Sequence, residues 1–161
     1  MGYYNEELTS EIISNRSGKI IEFKGVEFGG SESFKRSSYT ALEMNFIDCR
    51  FHKQLMISEK HFKNGIQFIN CEFLDGLSLE SITSTDDRQE CAIRIISSKS
   101  SGEVIIKDCN VRYLNIQLKV DTASLRCLNT EVINRFVLKD IHAQHLVKSE
   151  VRSHINRTIR M

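Results

Sequence analysis

The sequence predicts an all-β protein, a single solenoid whose short strands wind through six to seven coils and stack on their neighbours. Three observations lead there. The stretch Phe46-Ile47-Asp48-Cys49-Arg50-Phe51 recurs twenty-two residues later as Phe68-Ile69-Asn70-Cys71-Glu72-Phe73. As a template it has an apolar residue first, Asp or Asn third, a small or thiol side chain fourth and an apolar residue sixth. Counting weaker copies, it begins at 23, 46, 68, 88, 106, 127 and 146, a mean spacing of 20.5 residues. A period near twenty without helical spacing marks a coil of strands and turns, each burying against its neighbour what it could not bury alone. Finally, the 161 residues include no proline, which suits strands that must each donate to a ladder.

From the N-terminus, residues 6–15 carry Leu8, Ile12 and Ile13 at helical spacing and are expected to form a short capping helix over the first coil. The cap is placed at 1–18, the solenoid at 19–151, and a C-terminal tail or cap at 152–161. Lys19 to Phe28 alternates apolar and polar side chains, and its phase changes at Gly25. That change is general, because template positions one and four have opposite parity and cannot share a face of a straight strand. A bend at position three resolves the conflict. Asp48, Asn70, Asp108 and Asn129 fill that position, joined by Gly25, and all tolerate turn conformations.

Leu55-Met56-Ile57, Leu77-Ser78-Leu79, Leu114-Asn115-Ile116 and Phe136-Val137-Leu138 follow their templates and read as a second face. Gly65 to Phe68 and Gly102 to Ile106 read as a third strand merging into the next template. The polar stretches 29–40, 83–90 and 97–102 are expected to be surface loops. Beyond Ile141, two patterns compete. Val147, Val151, Ile155 and Ile159 recur every four residues, as in a helix, while Leu146 to Val151 also fits the template.

Cys49, Cys71, Cys91 and Cys109, with Thr130, occupy the fourth position and are expected to lie over one another in one buried column about 4.8 Å apart per coil. Reduced core thiols of this kind favour a cytoplasmic setting. The net charge of +1, from 22 basic and 21 acidic residues, gives the whole molecule little reason to gather nucleic acid or anionic lipid. No apolar run is long enough to span a membrane, and the acidic, polar N-terminus lacks the sections of a secretory signal.

The Phe-x-Asn-Cys-x-Phe form, with Asn or Asp before a small residue at a corner, resembles the coils of right-handed parallel beta-helix proteins of the pectate-lyase-like fold, over about residues 19–151. More loosely it is similar to the pentapeptide-repeat family, whose apolar residues five apart are matched by Phe46 and Phe51 and by Phe68 and Phe73. The resemblance implies a single right-handed parallel beta-helix. It implies no particular activity, since such folds include lyases, hydrolases, phage fibres, adhesins and interaction scaffolds.

Chemistry-bearing clusters are few. His142, His145 and His154 could ligate zinc, but three-apart spacing on a strand sends two of the rings to opposite faces. Asp86, Asp87 and Glu90, with Glu103 and Asp108, could supply paired carboxylates, and His52, Lys53 and His61 could line a groove. Arg126, Arg135, Lys139, Lys148, Arg152, Arg157 and Arg160 form a possible basic stripe for a polyanion, although Glu131, Asp140 and Glu150 are interspersed. No phosphate loop, nucleophile elbow or dinucleotide fingerprint is present. The expected role is a non-catalytic scaffold for a protein partner or a second copy of itself, without metal or cofactor. The alternatives are a carbohydrate-active lyase or hydrolase and a nucleic-acid binder acting through the basic C-terminal third.

Overall fold

A segment that must bury both Phe46 and Phe51 has to turn between them, because residues five apart on a straight strand point to opposite sides. The turn is made by one residue in the left-handed region. Asp48 and Asn70 each have φ of 53°, Ser97 has 52° and Gly25 has 64°. This conformation costs an ordinary residue about 1–2 kcal/mol and is taken most readily by Gly, Asn and Asp. Backbone pairing runs on through the bend: Asp48 N donates to Ile69 O at 3.0 Å and Asn70 N to Ile96 O at 2.9 Å. The corner therefore belongs to the ladder.

The computed structural model describes residues 3–4, 20–29, 32–34, 41–58, 62–84, 92–120, 124–139, 145–147, 151–153 and 156–159. They form a right-handed parallel β-solenoid with no helix among them. The first face stacks Ile20–Lys24, Ala41–Ile47, Phe62–Ile69 and the start of Ala92–Ser100, then the later parts of Asn110–Val120 and Thr130–Lys139. After the corner, the second face stacks Glu27–Phe28, Arg50–Phe51 and Glu72–Phe73 on the end of Ala92–Ser100. The third face is a six-stranded sheet of Glu32–Phe34, Leu55–Ser58, Leu77–Glu80, Val104–Lys107, Ser124–Leu128 and His145–Val147. A second corner follows, at Ser81, Asp108 and Asn129 with φ of 55°, 52° and 43°.

Each coil thus has two corners, and copies of the template sit at both. This corrects the expected count. In register, Phe23 lies on Phe46, then Phe68, Ile95, Ile116 and Leu138, so successive rungs are 23, 22, 27, 21 and 22 residues apart. The copies at 106 and 127 belong to the other corner. About four turns have all their sides in place, against the six to seven coils that one copy per coil implies.

Other expectations shift with it. Leu114 and Ile116 stack on Ile93 and Ile95 of the first face, whereas the rung above Leu77 and Leu79 is Val104 and Ile106. Residues 97–102 are not a free loop, since Ser97 and Ser98 turn the first corner and Ser98 and Ser100 are buried. Within 29–40, Glu32–Phe34 is a strand paired with Leu55–Ile57. At the C-terminus the four-residue spacing marks no helix. Val151–Ser153 and Asn156–Ile159 are strands on Thr130–Lys139, with Val151 opposite Thr130, two residues out of step with the template. The expected capping helix at 6–15 lies outside the described residues.

The core is built as columns. Phe23, Phe46 and Phe68 stack at 5.3 and 5.1 Å, and Phe28, Phe51 and Phe73 at 4.8 and 5.3 Å. Rings of the two columns meet edge to face, as Phe46 does Phe51 at 5.5 Å. Both geometries suit the aromatic quadrupole and add about 0.5–1.5 kcal/mol per pair beyond burial. Above Phe68 and Phe73 come Ile95 and Ser100, so these two aromatic columns end, although Phe136 is buried further up over Leu114.

Between the third-face strands the rungs approach closely at Gly76 and Gly102. A Cβ on Gly76, whose φ is 94°, would lie 2.3 Å from Glu103 O.

Candidate functional site

The first corner carries the residues the template singles out, and each has a definite partner. Cys49 Sγ donates to Ile47 O at 3.3 Å and Phe23 O at 3.4 Å, and Cys71 Sγ to Phe46 O at 3.3 Å and Ile69 O at 3.5 Å. Ser98 continues this column, its hydroxyl donating to Ile96 O at 3.0 Å. At the second corner Cys109 donates to Lys107 O and Leu79 O, and Thr130 Oγ1 to Leu128 O at 2.9 Å. Where it is Cys, Ser or Thr, the fourth position is therefore a small S–H or O–H donor that satisfies corner carbonyls, and it occurs in two columns; at the first rung Val26 fills it without a donor. Cys91 lies outside the described residues, and Ser98 holds the place on Cys71. Cys127 stacks instead on Ile106 of the third face.

All four described cysteines are free. The hydrogen bond with Cys49 pushes the Cys71 thiol up, with burial adding to it, while the same bond holds Cys49 lower. Burial pushes Cys109 and Cys127 up to about 12. Cys71, Cys109 and Cys127 are therefore protonated at neutral pH, unlike the thiolates that act as nucleophiles or bind metal.

On the outside of the corners, amides and carboxylates alternate. Asn70 Nδ2 donates to Asp48 Oδ1, and Asn129 Nδ2 to Asp108 Oδ1, both at 2.7 Å. Beside them the fifth template position makes a column of alternating charge. Arg50 lies 3.9 Å from Glu27 and 3.3 Å from Glu72, and Glu72 lies 3.3 Å from Lys99. His52 Nε2 meets Glu27 Oε1 at 2.6 Å. The sequence shows Glu, Arg, Glu at that position, but only the corrected register adds Lys99.

A hollow of about 550 Å³ lies over this corner, lined among others by Asp48, Arg50, Glu72, Lys99, Gln117 and Lys119. Its carboxylates are engaged as above. Asp48 accepts from a neutral amide and Glu72 lies between two cations, so each carboxylate is held along the stack by its own partners. The other expected pair does not converge either. Glu103 accepts from Ser124 Oγ at 2.9 Å and faces Arg126 at 3.5 Å, while Asp108 meets Asn129 and, at 3.8 Å, Lys107. Asp86, Asp87, Glu90 and His61 lie outside the described residues.

Of the basic stripe, Arg126 faces Glu103, and Arg135 and Lys139 are exposed on the first face. Arg152 and Arg157 fall in the C-terminal strands. Lys148 and Arg160 lie outside the described residues. Arg135 and Arg94 approach the Tyr113 ring at 5.8 and 5.6 Å from the neighbouring rungs, a cluster that is invisible until the rungs are aligned. Among the described residues no group of three or more His, Cys, Asp or Glu side chains is placed to hold a metal ion. His142 and His154 are outside them and His145 is in a third-face strand. No described helix is long and apolar enough to cross a membrane.

The fold and this surface define a β-solenoid with polar columns on its faces. No family model matches the chain, and no curated protein or solved structure matches it.

Proposed function

We propose that the chain is a non-catalytic scaffold whose flat strand faces bind protein, a second copy of itself included, in a reducing, cytoplasmic setting. The observation that carries this reading is the direction of the polar contacts. Around the hollow, Asp48, Arg50, Asn70, Glu72 and Lys99 bond up and down the stack rather than converging on a point where a substrate atom could sit. An acid–base pair needs such convergence within hydrogen-bond reach. A periodic face instead offers groups repeated about every 4.8 Å, which suits an extended protein surface. Unbridged thiols fit a reducing compartment.

The test has two arms. Sedimentation across concentration is expected to show association of the purified chain or of a mixture with its partner. A panel of neutral and acidic polysaccharides, assayed for new reducing ends, is expected to show no turnover. Turnover abolished by Glu72→Gln or Asp48→Asn would replace the scaffold by the carbohydrate-active reading.

A further inference from the structure

The outer surface of the first face is divided by charge along the solenoid axis. On the first three rungs its outward residues are Ile20, Glu22, Lys24, then Glu43, Asn45, Ile47, then Gly65, Gln67, Ile69, with Asp48 at the corner. On the next three they are Arg94 and Ile96, then Tyr113, Asn115, Gln117, then Arg135, the largely covered Val137 and Lys139. The first group holds three acids and one base, the second three bases and no acid. Lys99 and Lys119, in register just past the corner, extend the basic half.

The two halves are built differently as well. Glu43 Oε1 accepts from Asn45 and Gln67, both at 2.8 Å, which fixes the carboxylate on the acidic half. On the basic half no described carboxylate lies in salt-bridge reach of Arg94 or Arg135. Both guanidiniums gather about the Tyr113 ring, an arrangement that holds a cation without neutralising it. Along one margin Ile47, Ile69 and Ile96 form a half-buried apolar column that crosses from one half to the other.

We propose that this face pairs with the same face of a second copy, the two rods antiparallel about a two-fold axis along the strands. That operation reverses the rung order and lays each acidic half on the other copy's basic half. It also keeps every column opposite itself, so the isoleucine columns meet. Such an isologous contact is self-complementary and closes at two. A polyanion is the weaker fit, because it would be attracted by one half of the face and repelled by the other.

The face spans about 24 Å along the axis and roughly 17 Å along the strands, or roughly 400 Å² per copy. Stable specific interfaces bury about 800 Å² per partner. The pair is therefore weak and salt-sensitive, with association visible at tens of micromolar and above.

This proposal rests on the scaffold reading and is tested by sedimentation equilibrium up to about millimolar protein at low and high salt. Wild type is expected to dimerise at low salt and to weaken at least tenfold at high salt. The variant Glu22→Lys/Glu43→Lys and the variant Arg94→Glu/Arg135→Glu, each checked by circular dichroism, are expected to be monomeric alone and to form a one-to-one heterodimer when mixed. The milder Arg94→Gln/Arg135→Gln pair covers the case in which charge reversal prevents folding, and is expected to weaken the dimer. A monomer at every concentration, a dimer indifferent to salt and to these changes, or heparin binding by a monomeric wild type would each overturn the pairing. A monomer, or a dimer indifferent to salt, leaves the scaffold reading standing, whereas heparin binding would favour a polyanion binder and polysaccharide turnover a carbohydrate-active enzyme.

Discussion

The backbone N–H of Cys71 donates to the Ser98 hydroxyl at 3.0 Å, and the two residues hold the same place on successive rungs. A thiol and a hydroxyl thus serve as alternatives at the first corner. Cys71→Ser is expected to cost no more than about 1 kcal/mol, since a comparable donor remains for Phe46 O. Cys71→Asp would put a charge in the same dry site and is expected to prevent folding or to remove most of the stability. Urea unfolding followed by circular dichroism measures both. Equal stability of the Asp variant and the parent would mean the side chain does not point inward.

The aromatic columns give a second expectation. Phe51 is fully buried and touches rings above, below and beside it. Phe51→Ala is expected to lose ~3–5 kcal/mol, a large share of the stability of an ordinary domain. The urea midpoint reports it. A loss below about 1 kcal/mol would show that the column is not close-packed.

Rung spacing at Gly76 is set by backbone. A methyl group there would meet Glu103 O at 2.3 Å, and neither partner is the flexible end of a side chain. Gly76→Ala is therefore expected to destabilise more than the same change at Gly25, where nothing lies within 4 Å of the added Cβ. Thermal unfolding of the two variants gives the comparison, and the reverse order would contradict the stacking described.

Alkaline pH should weaken the fold in a defined window. The thiols of Cys109 and Cys127 are pushed up to about 12 by burial, from an ordinary value of 9.0. The unfolded chain thus loses these protons first as pH rises. The stabilisation is complete below pH 9 and is lost as pH climbs toward 12, by at most about 1.4 kcal/mol per unit for each thiol. Urea midpoints between pH 8 and 11, compared with a Cys109→Ser/Cys127→Ala variant, are expected to fall more steeply in the parent. Parallel slopes would show that these thiols are open to solvent.

Much of this fold could be read from Phe46 to Phe73, because two adjacent, nearly perfect copies expose both the period and the parity break that demands a corner. The register beyond Phe73 could not. Ser97-Ser98 performs the corner in chemistry the template did not include, and the step from Phe68 to Ile95 is 27 residues where its predecessors are 23 and 22. Cys91 lies close to where an even spacing puts the next thiol, whereas the rung is set by Ser98. Asp108-Cys109 then looked like one more copy in the same column, although it turns the opposite corner. Arg94, Tyr113 and Arg135 share no sequence motif and become neighbours only once the rungs are aligned.

The amide-to-carboxylate contacts outside both corners carry a chemical vulnerability. Hydrolysis of the Asn70 or Asn129 side chain would replace the donor with an acid, leaving it 2.7 Å from Asp48 or Asp108. Two anions at that separation repel where the parent pair attracts. Deamidation at either asparagine would thus open the corner from outside, so an ageing preparation should lose its rungs at these two positions first.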